Sequence, residues 1–303
     1  MKNVVLVGAG AVGALYGMKL HSLLGSSFSV LVDEERKERY TGDGIIVNGD
    51  RVDFNYHLAS EIGFADLIIV ATKNQHVEAV IKLMRPIVGV NTTILTLLNG
   101  IESEGILAAA FGWEKILHGF AVGLNSTHVG NNIEYTAEGR IVFGERDNSS
   151  SPRVQEILSL FISSGIEAVV PKDIHIMQWN KFMLNTAYNT ISGILLATYE
   201  ELASEAVRSL AYGVCAEVQA VGKAEGITIP DSFVKDNHEL VISLGKGKTS
   251  MCQDMSAGKL TENQWLAGSV VALGKKHGID TPICATLSLL VQAKEAISLA
   301  ALA

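Results

Sequence analysis

The chain has few cysteines and no long apolar run, and each absence excludes a class of protein. Its cysteines fit no metal-binding or redox motif, and they are Cys215, Cys252 and Cys284. We expect buried free thiols in a reducing compartment and no metal site. The apolar segment 287–291 is soon followed by Lys294 and Glu295, so it is far shorter than the ~20 apolar residues of a membrane span.

Glycine content and charge argue against two further classes of protein. Glycines that fit a strand and a turn interrupt the N-terminal apolar segment, so we assign no targeting segment and expect a cytoplasmic protein. The formal net charge of −8 argues against a nucleic-acid surface. With 48% hydrophobic residues in 303, the chain can bury a large core, and its length predicts about two domains.

The most informative segment is a strand that leads into a glycine motif. Val4–Val7 is followed by Gly8-Ala9-Gly10-Ala11-Val12-Gly13, which has the pattern Gly-x-Gly-x-x-Gly, and then by a helical segment. In this pattern Gly8 makes the tight turn, Gly10 leaves room for a pyrophosphate, and Gly13 lets the helix pack close to the sheet. The free N–H groups of the helix N-terminus bind the anion. We predict a dinucleotide site at residues 8–13; the alternative is a purely structural turn.

Apolar runs alternate with helical segments in the first half of the chain. Strands are predicted at 28–32, 67–71 and 93–97, and a helix is predicted at 77–88. Continuous apolar strands between helices indicate a parallel sheet that is covered on both faces. The sequence thus predicts a doubly wound α/β fold for this part.

The pattern changes near residue 170. Before that point we predict a hairpin whose strands, 132–135 and 140–143, are joined by a turn at 136–139, then a loop at 148–152 that leads into a helix, and a last strand at 166–170. From Asp173, a favourable N-cap residue, helical segments follow without a clear strand. We therefore predict a dinucleotide-binding domain at 1–170 and a helical substrate domain at 171–303.

The first helix of the second domain carries a polar stripe. Its members, spaced to share one helix face, are Gln178, Lys181, Asn185, Asn189 and Ser192. A solvated face is the alternative, but such a face favours Glu, Lys and Arg over Asn, which is a poorer helix former. Neutral amides beside a single lysine suit a cleft that binds a small polar ligand.

Two polar pairs follow predicted strands. Thr72-Lys73 and Asn99-Gly100 each stand at the carboxyl end of a parallel strand, where open α/β sheets bind their ligands. An ordinary surface position is the alternative for a lone lysine. Together with the glycine motif, the two pairs favour a ligand site.

These features resemble a known family over essentially the whole chain. Besides the glycine motif and the two polar pairs, the matching motifs are Glu138-Gly139-Arg140-Ile141-Val142-Phe143-Gly144-Glu145, Trp179-Asn180-Lys181 with Asn185 and Asn189, Ser250-Met251-Cys252-Gln253-Asp254, and Thr261-Glu262. The chain is similar to the ketopantoate reductase (2-dehydropantoate 2-reductase) family and, more broadly, to two-domain reductases that resemble 6-phosphogluconate dehydrogenase. The resemblance implies an N-terminal Rossmann-type domain and a C-terminal all-helical domain like that of 6-phosphogluconate dehydrogenase.

The resemblance also implies roles for the matching residues. It makes Lys181 the general acid. The residues implied to bind the substrate are Asn185, Asn189 and Ser250. Those implied to line the cofactor and the reacting centre are Lys73, Asn99 and Glu262, and a looser alignment adds Asn125 as a cofactor contact.

The chemistry of Lys181 and Glu262 agrees with these roles. Hydride transfer to a ketone carbon leaves negative charge on the oxygen, which a nearby ammonium stabilises and then protonates. A carboxylate such as Glu262 would keep that ammonium charged although burial lowers its pKa. The alternative for Glu262 is a local one, in which it only favours a helix N-terminus within a capping box formed by Thr261 and Gln264.

The chain departs from the family pattern at the substrate. Tyr199 and Gly247 stand where many members carry asparagines that bind the substrate. The reductase chemistry is untouched by these differences, but the identity of the keto acid is left open.

The chain also departs from the family pattern at the cofactor. The resemblance implies NADPH, whose 2′-phosphate suits an arginine, but Asp33 stands at the matching position. A carboxylate prefers the ribose 2′-hydroxyl of NADH and repels a phosphate. Arg36 and Lys37 could still supply positive charge, so both cofactors stay open.

The function predicted from these features is the NAD(P)H-dependent reduction of 2-dehydropantoate to pantoate, in pantothenate and coenzyme A biosynthesis. The alternatives are a reductase of the same fold that acts on another small 2-keto or hydroxy acid, and an inactive nucleotide-binding regulator. The expected partner is a small keto acid rather than a nucleic acid or a membrane. The long apolar helices expected after residue 204 could also bury a second copy, so a homodimer is a further prediction.

Overall fold

The computed structural model describes the backbone of residues 1–300 and the side chains of residues 1–298. The chain forms two compact units, Met1–Ile174 and His175–Ala303. None of the helices in the described part is long and apolar enough to cross a membrane.

The first unit is built on a ten-stranded sheet. Its strands are β1 Val4–Val7, β2 Phe28–Leu31, β3 Ile45–Val47, β4 Asp50–Val52, β5 Tyr56–His57, β6 Leu67–Val70, β7 Thr93–Thr96, β8 Ile116–Val129, β9 Asn132–Gly144 and β10 Ala168–Val169. They lie in the order β4-β3-β9-β8-β7-β6-β1-β2-β5, and β10 pairs with β9. The helices of this unit are α1 Ala11–Leu24, α2 Glu34–Asp43, α3 Val77–Met84, α4 Ser103–Phe111 and α5 Pro152–Ser163.

The central strands confirm the parallel sheet predicted from the sequence. Strand β1 pairs in parallel with β2 on one side and with β6 on the other, and β6 pairs in parallel with β7. After β1 the chain first adds β2 on one side of it, and later adds β6 and β7 on the other side. The strand order therefore reverses at β1. Open α/β sheets bind ligands at such a switch point, outside the carboxyl ends of the strands.

Alternate residues of β1 pack into separate cores on the two faces of the sheet. Val4 and Leu6 belong to a buried cluster that includes residues of α1 and α5. Val5 and Val7 belong to a second cluster, with residues of α3 and α4. All four side chains are buried, and full burial of such a side chain contributes roughly 1.5–3 kcal/mol. The two covered faces make the sheet doubly wound, as predicted.

The helix predicted at 77–88 is shorter than expected. Helix α3 ends at Met84, and a 3-10 turn follows at Arg85–Ile87. Pro86 lies in that turn, and proline lacks the N–H group that would continue the α-helical hydrogen bonds. The predicted loop at 148–152 is confirmed for 148–151, and Pro152 is already the first residue of α5. Ser151 caps this helix by accepting a hydrogen bond from the Val154 N–H.

The hairpin prediction was wrong about the position of the turn. Residues 132–144 form the single strand β9, which pairs antiparallel with β8, and the turn lies at Gly130 and Asn131. Gly139 has φ +63°, and a Cβ atom there would lie 2.4 Å from the Val122 carbonyl oxygen. The glycine-containing segment thus resembles a turn in sequence, although it is an irregular part of a continuous strand.

The second unit contains helices and, within residues 175–300, no strand. The helices are α6 Ile174–Leu184, α7 Thr190–Leu195, α8 Glu205–Ala224, α9 Ser232–Ser243, α10 Ser250–Ser256, α11 Ala267–His277 and α12 Pro282–Ala300. A π-helical segment, Asn185–Asn189, joins α6 to α7. The helical character that was predicted after Asp173 is confirmed.

Candidate active site

The glycine motif forms the turn between β1 and α1. Gly8 has φ +98°, a conformation that suits glycine, and a Cβ atom on Gly13 would lie 1.8 Å from the Gly8 carbonyl oxygen. Gly10 precedes the first residue of α1, and a Cβ atom there would have no protein atom within 4 Å. The loop therefore has open space beside Gly10 and a helix N-terminus next to it. These features fit the pyrophosphate of a dinucleotide.

The structure brings the predicted polar pairs to this loop. The Thr72 Cγ2 atom would lie 2.6 Å from a Cβ atom on Gly8, so the segments after β1 and β6 are in contact. The Asn74 side chain, beside Lys73, donates a hydrogen bond to the Asn99 carbonyl oxygen at 2.8 Å. Residues 8–13, 72–74 and 99 thus form one row along the carboxyl edge of the sheet.

Asp33 lies at the same edge, after β2, and its carboxylate makes two contacts with Arg36 of α2. Its carboxylate caps α2 by accepting from the Arg36 N–H at 2.8 Å, and it also forms an ion pair with the Arg36 guanidinium. The Lys37 ammonium pairs with the Glu61 carboxylate at 2.5 Å. Both basic side chains that could bind a 2′-phosphate are therefore already paired with carboxylates.

Asn125 lies on the hairpin rather than at a strand end. It is part of β8, next to a register shift in the pairing with β9. Its side-chain amide donates to the Thr136 hydroxyl at 2.9 Å. The cofactor role implied for this residue has no further support in its contacts.

In the second unit, the polar stripe lies on the continuous helix formed by α6, the π-helical segment and α7. Four of its five members are buried, and they are Gln178, Asn185, Asn189 and Ser192. Lys181 is partly buried. Because these four side chains are buried, the stripe is not the solvated face that was the alternative. Buried polar groups of this kind need hydrogen-bond partners.

The π-helical segment is a feature that the sequence spacing did not predict. It includes both Asn185 and Asn189, so the α-helical period assumed for the stripe does not hold between them. π-Helical turns are rare and occur frequently at functional sites. The local geometry at these two asparagines is consequently set by the π turn.

The structure brings together two of the predicted substrate-binding residues. The Asn189 side-chain nitrogen lies 3.5 Å from the Ser250 hydroxyl oxygen, at the start of α10. Ser192 has a different role, because its hydroxyl donates to the Ala197 carbonyl oxygen at 2.7 Å and accepts from the Thr249 hydroxyl. Ser192 therefore holds the end of α7 against the start of α10.

Lys181 and Glu262 are coupled electrostatically. Burial lowers the pKa of Lys181 to about 8, and the negative charge of Glu262 opposes this decrease. A lysine with such a pKa is largely protonated at neutral pH yet can release its proton readily. The pair therefore places a carboxylate charge where it favours the charged form of a lysine with a lowered pKa.

The local alternative for Glu262 is a helix N-terminus capped within a box of Thr261 and Gln264. Glu262 precedes the 3-10 turn Asn263–Trp265, but its side chain makes no capping hydrogen bond there. Instead, the Thr261 hydroxyl accepts from the Asn263 N–H at 3.2 Å. The capping hydrogen bond is therefore made by Thr261, a member of the capping box in that alternative, and not by Glu262.

The two positions that depart from the family pattern lie side by side. The Tyr199 N–H donates to the Gly247 carbonyl oxygen at 2.9 Å. A large aromatic residue thus lies next to a residue without a side chain. Tyr199 is partly buried, so the departure changes both the shape and the polarity of this region.

Sequence reasoning missed residues on α9 that contact the helix of Lys181. The Asn237 amide donates to the Asn180 side-chain oxygen at 2.9 Å, and the Tyr188 hydroxyl lies 3.2 Å from the His238 Nδ1 atom. Both α9 residues are buried. An adjacent polar pair in an otherwise amphipathic helix is the sequence signal that could have identified them.

The three cysteines are free and buried, as expected. Within the residues that the structure describes, no group of three or more His, Cys, Asp and Glu side chains could hold a metal ion.

Comparison with known proteins identifies the family. Residues 4–148 match the family described as "Ketopantoate reductase PanE/ApbA", and residues 173–295 match its "C terminal" part. A 2-dehydropantoate 2-reductase of Nostoc sp. is 28% identical, over 93% of this chain and 91% of the relative.

Comparison with solved structures gives matches over nearly the whole chain. The 2-dehydropantoate 2-reductase of Geobacter metallireducens is 30% identical with a TM-score of 0.86, covering 96% of this chain and 99% of the other. A D-mandelate dehydrogenase, solved with NADH and anilino(oxo)acetate, shares the fold at 24% identity with a TM-score of 0.88 and covers 98% of this chain and 99% of its own. The two family matches include most of the chain, and on this basis the protein belongs to the ketopantoate reductase family of oxidoreductases.

Proposed function

We propose that this protein reduces the ketone of 2-dehydropantoate to give pantoate, with a nicotinamide cofactor bound at the glycine loop. The observation that carries the proposal is that the helical run of Lys181 also carries the buried amides of Asn185 and Asn189, with the Asn189 amide 3.5 Å from the Ser250 hydroxyl. Burial lowers the pKa of Lys181 to about 8, and the charge of Glu262 opposes this decrease. A lysine with a pKa near 8 is an effective proton donor at neutral pH. The cofactor, when bound, supplies the hydride.

The roles of the chain's own residues follow from their chemistry. The Lys181 ammonium stabilises the negative charge that develops on the substrate oxygen and then donates its proton to that oxygen. Glu262 keeps Lys181 protonated until this transfer. Asn185, Asn189 and Ser250 orient the substrate by hydrogen bonds, with Ser250 bonding to the carboxylate.

The cofactor-binding residues of the proposal are those at the carboxyl edge of the sheet. Residues 8–13 bind the pyrophosphate, and Lys73 and Asn99 border the nicotinamide part. Asp33 accepts hydrogen bonds from the ribose hydroxyls. Since Arg36 is paired with Asp33 and Lys37 with Glu61, a 2′-phosphate would have to displace existing ion pairs. These contacts favour NADH over the NADPH that the resemblance implies.

A second candidate is the reduction of another small 2-keto acid by the same chemistry. The adjacent Tyr199 and Gly247 favour it, because an aromatic ring stands in place of one amide side chain and no side chain stands in place of the other. A keto acid with an apolar side chain would therefore suit Tyr199 and Gly247 better than a keto acid whose side chain carries a hydroxyl group. An inactive regulator is disfavoured because Lys181, Glu262, Asn185 and Asn189 are all present.

The location and assembly of the protein are also proposals. The three free cysteines are consistent with a cytoplasmic protein. Exposed apolar side chains on α12, which include Leu289 and Ile297, are consistent with a homodimer.

The decisive experiment is an assay of the purified protein with NADH and NADPH in parallel against a panel of branched 2-keto acids that includes 2-dehydropantoate. Highest kcat/KM for 2-dehydropantoate would support the first candidate. A higher kcat/KM for a keto acid that lacks the hydroxyl group of 2-dehydropantoate than for 2-dehydropantoate itself would support the second candidate. Absence of turnover with every keto acid, together with tight nucleotide binding, would support the inactive regulator.

A further inference from the structure

Helix α12 contacts both segments that carry the Lys181 and Glu262 pair. Two successive residues near its end, Lys294 and Glu295, make these contacts. Neither residue belongs to a motif that the sequence connected with catalysis. Glu295 contacts the residue before Glu262, and Lys294 contacts the C-terminal end of the helical run that begins with the helix of Lys181.

Glu295 binds the residue that precedes Glu262. A single carboxylate oxygen of Glu295 accepts from the Thr261 N–H at 2.8 Å and from the Thr261 hydroxyl at 2.7 Å. Both bonds are partly buried, and hydrogen bonds to a charged acceptor are stronger than those between neutral groups. They fix the backbone and the side chain of Thr261 at the same time.

A neighbouring contact fixes the other side of Glu262. The Asn263 amide donates to the carbonyl oxygen and the hydroxyl of Ser288, also on α12, at 3.2 and 3.0 Å. Glu262 is therefore flanked by two residues that are both anchored to the same helix. The charge of its carboxylate acts on Lys181.

Lys294 binds the far end of the helix that carries Lys181. Its ammonium donates to the Ile194 carbonyl oxygen at 2.7 Å and to the Gly193 carbonyl oxygen at 3.3 Å. Carbonyl groups at the end of a helix lack partners within that helix, and a positive charge is favourable there. Lys294 thus anchors this continuous helix to α12, which also holds the segment of Glu262.

We infer that Lys294 and Glu295 are positioning residues through which α12 holds the segment of Glu262 against the helix of Lys181, so that Glu262 keeps Lys181 charged. The inference rests on the proposed function for its catalytic meaning. Its structural content is that α12 binds both the segment of Glu262, through Glu295, and the far end of the helical run that carries Lys181, through Lys294.

The consequence is a measurable change at Lys181 when Glu295 is lost. The charge that acts on Lys181 is that of Glu262, which raises a pKa that burial lowers. The other charged group near Glu295 on α12 is Lys294, whose ammonium lies on backbone carbonyl groups. If the 261–263 segment moves, Glu262 recedes and the Lys181 pKa falls further.

The test measures the ionisation of Lys181 without requiring turnover. The full-length protein is labelled with an amine-reactive reagent over a range of pH, and mass spectrometry follows the peptide that contains Lys181. We expect a labelling midpoint near 8 in the wild type. In Glu295→Ala the midpoint falls by about half a pH unit or more, roughly a threefold change in the protonation constant.

Two control variants show whether the effect depends on the acceptor oxygen. Glu295→Gln keeps an oxygen that can accept from Thr261, so its midpoint stays close to that of the wild type. Glu239→Ala removes an exposed carboxylate on α9 that pairs with Lys235, and it leaves the Lys181 midpoint unchanged. An unchanged midpoint in Glu295→Ala, with only reduced thermal stability, would overturn the inference.

A second variant covers the case in which Glu295→Ala does not fold. Thr261→Val removes the hydroxyl that binds Glu295 while it keeps the backbone N–H, and we expect a smaller decrease of the same midpoint. An unchanged midpoint in this variant would also overturn the inference. Failure of the proposed function gives a different result, since a wild-type protein without keto-acid reduction would still show the Glu295-dependent midpoint.

Discussion

The side chains of Asn189 and Ser250 meet at 3.5 Å, although 61 residues separate them in the sequence. One lies in the π-helical segment and the other begins α10. This contact aligns an amide and a hydroxyl as one polar patch. Both groups suit recognition of a small polar anion.

The first prediction concerns this patch. Asn189→Ala and Ser250→Ala should each raise KM for the keto acid about tenfold, which corresponds to ~1.4 kcal/mol, with a smaller effect on kcat. Since the residues touch, the effects of the double variant should not add. Steady-state kinetics of the four proteins measure both points, and strict additivity would indicate that the residues bind independently.

The second prediction concerns Lys181 as the general acid. Lys181→Ala should lower kcat by on the order of 10²-fold or more, the usual contribution of a positioned proton donor. Nucleotide affinity, measured by fluorescence titration, should stay nearly unchanged. Lys235→Ala is the matched control, because that lysine is exposed on α9. Turnover close to normal in Lys181→Ala would contradict the assignment.

The third prediction concerns pH. Proton donation needs the charged form of Lys181, so the rate of reduction should be high below the pKa of about 8 and should fall as the pH rises through it. Glu262→Gln removes the charge that raises this pKa, so the descending limb should move to lower pH. Profiles of kcat/KM against pH for the wild type and Glu262→Gln test whether the variant loses activity at the lower pH. A rate that rises through pH 8 would rule out Lys181 as the acid.

The fourth prediction contrasts two glycines of the cofactor loop. Gly10→Val should weaken nucleotide binding, because the new side chain occupies space that protein atoms leave open, and it should cost only ~1 kcal/mol of stability at this cap position. Gly13→Ala should destabilise the fold by about 3 kcal/mol or more, since its Cβ atom would overlap the Gly8 carbonyl group. Titration with nucleotide and thermal unfolding separate the two effects. Unchanged affinity in Gly10→Val would mean that the loop is only a turn.

The fifth prediction concerns cofactor choice. The wild type should favour NADH or be nearly indifferent, and Asp33→Arg should move the kcat/KM ratio toward NADPH, because it removes a carboxylate and also releases Arg36 from its ion pair. Asp43→Arg, a change of equal charge at the exposed end of the same helix, should leave the ratio unchanged. A wild-type preference for NADPH above about 100-fold, roughly 2.7 kcal/mol, would mean that Arg36 or Lys37 binds the phosphate despite its present partner.

The sequence by itself determined the central parallel strands, the glycine turn and the helical second half. Val4–Val7 and the other central strands are short apolar runs, which are buried on both faces wherever helices cover a sheet. The turn requires glycine because a Cβ atom would overlap the backbone. Such requirements are local, so they leave a direct trace in the sequence.

Other features were decided only by the tertiary structure. The 136–139 segment looked like a turn, but pairing with β8 extends it into a long strand. The π-helical turn at Asn185–Asn189 leaves no periodic signal in the sequence. The contacts of Asn189 with Ser250 and of Glu295 with Thr261 join residues that are far apart along the chain. Their geometry depends on how whole helices pack, which local propensities and spacings do not specify.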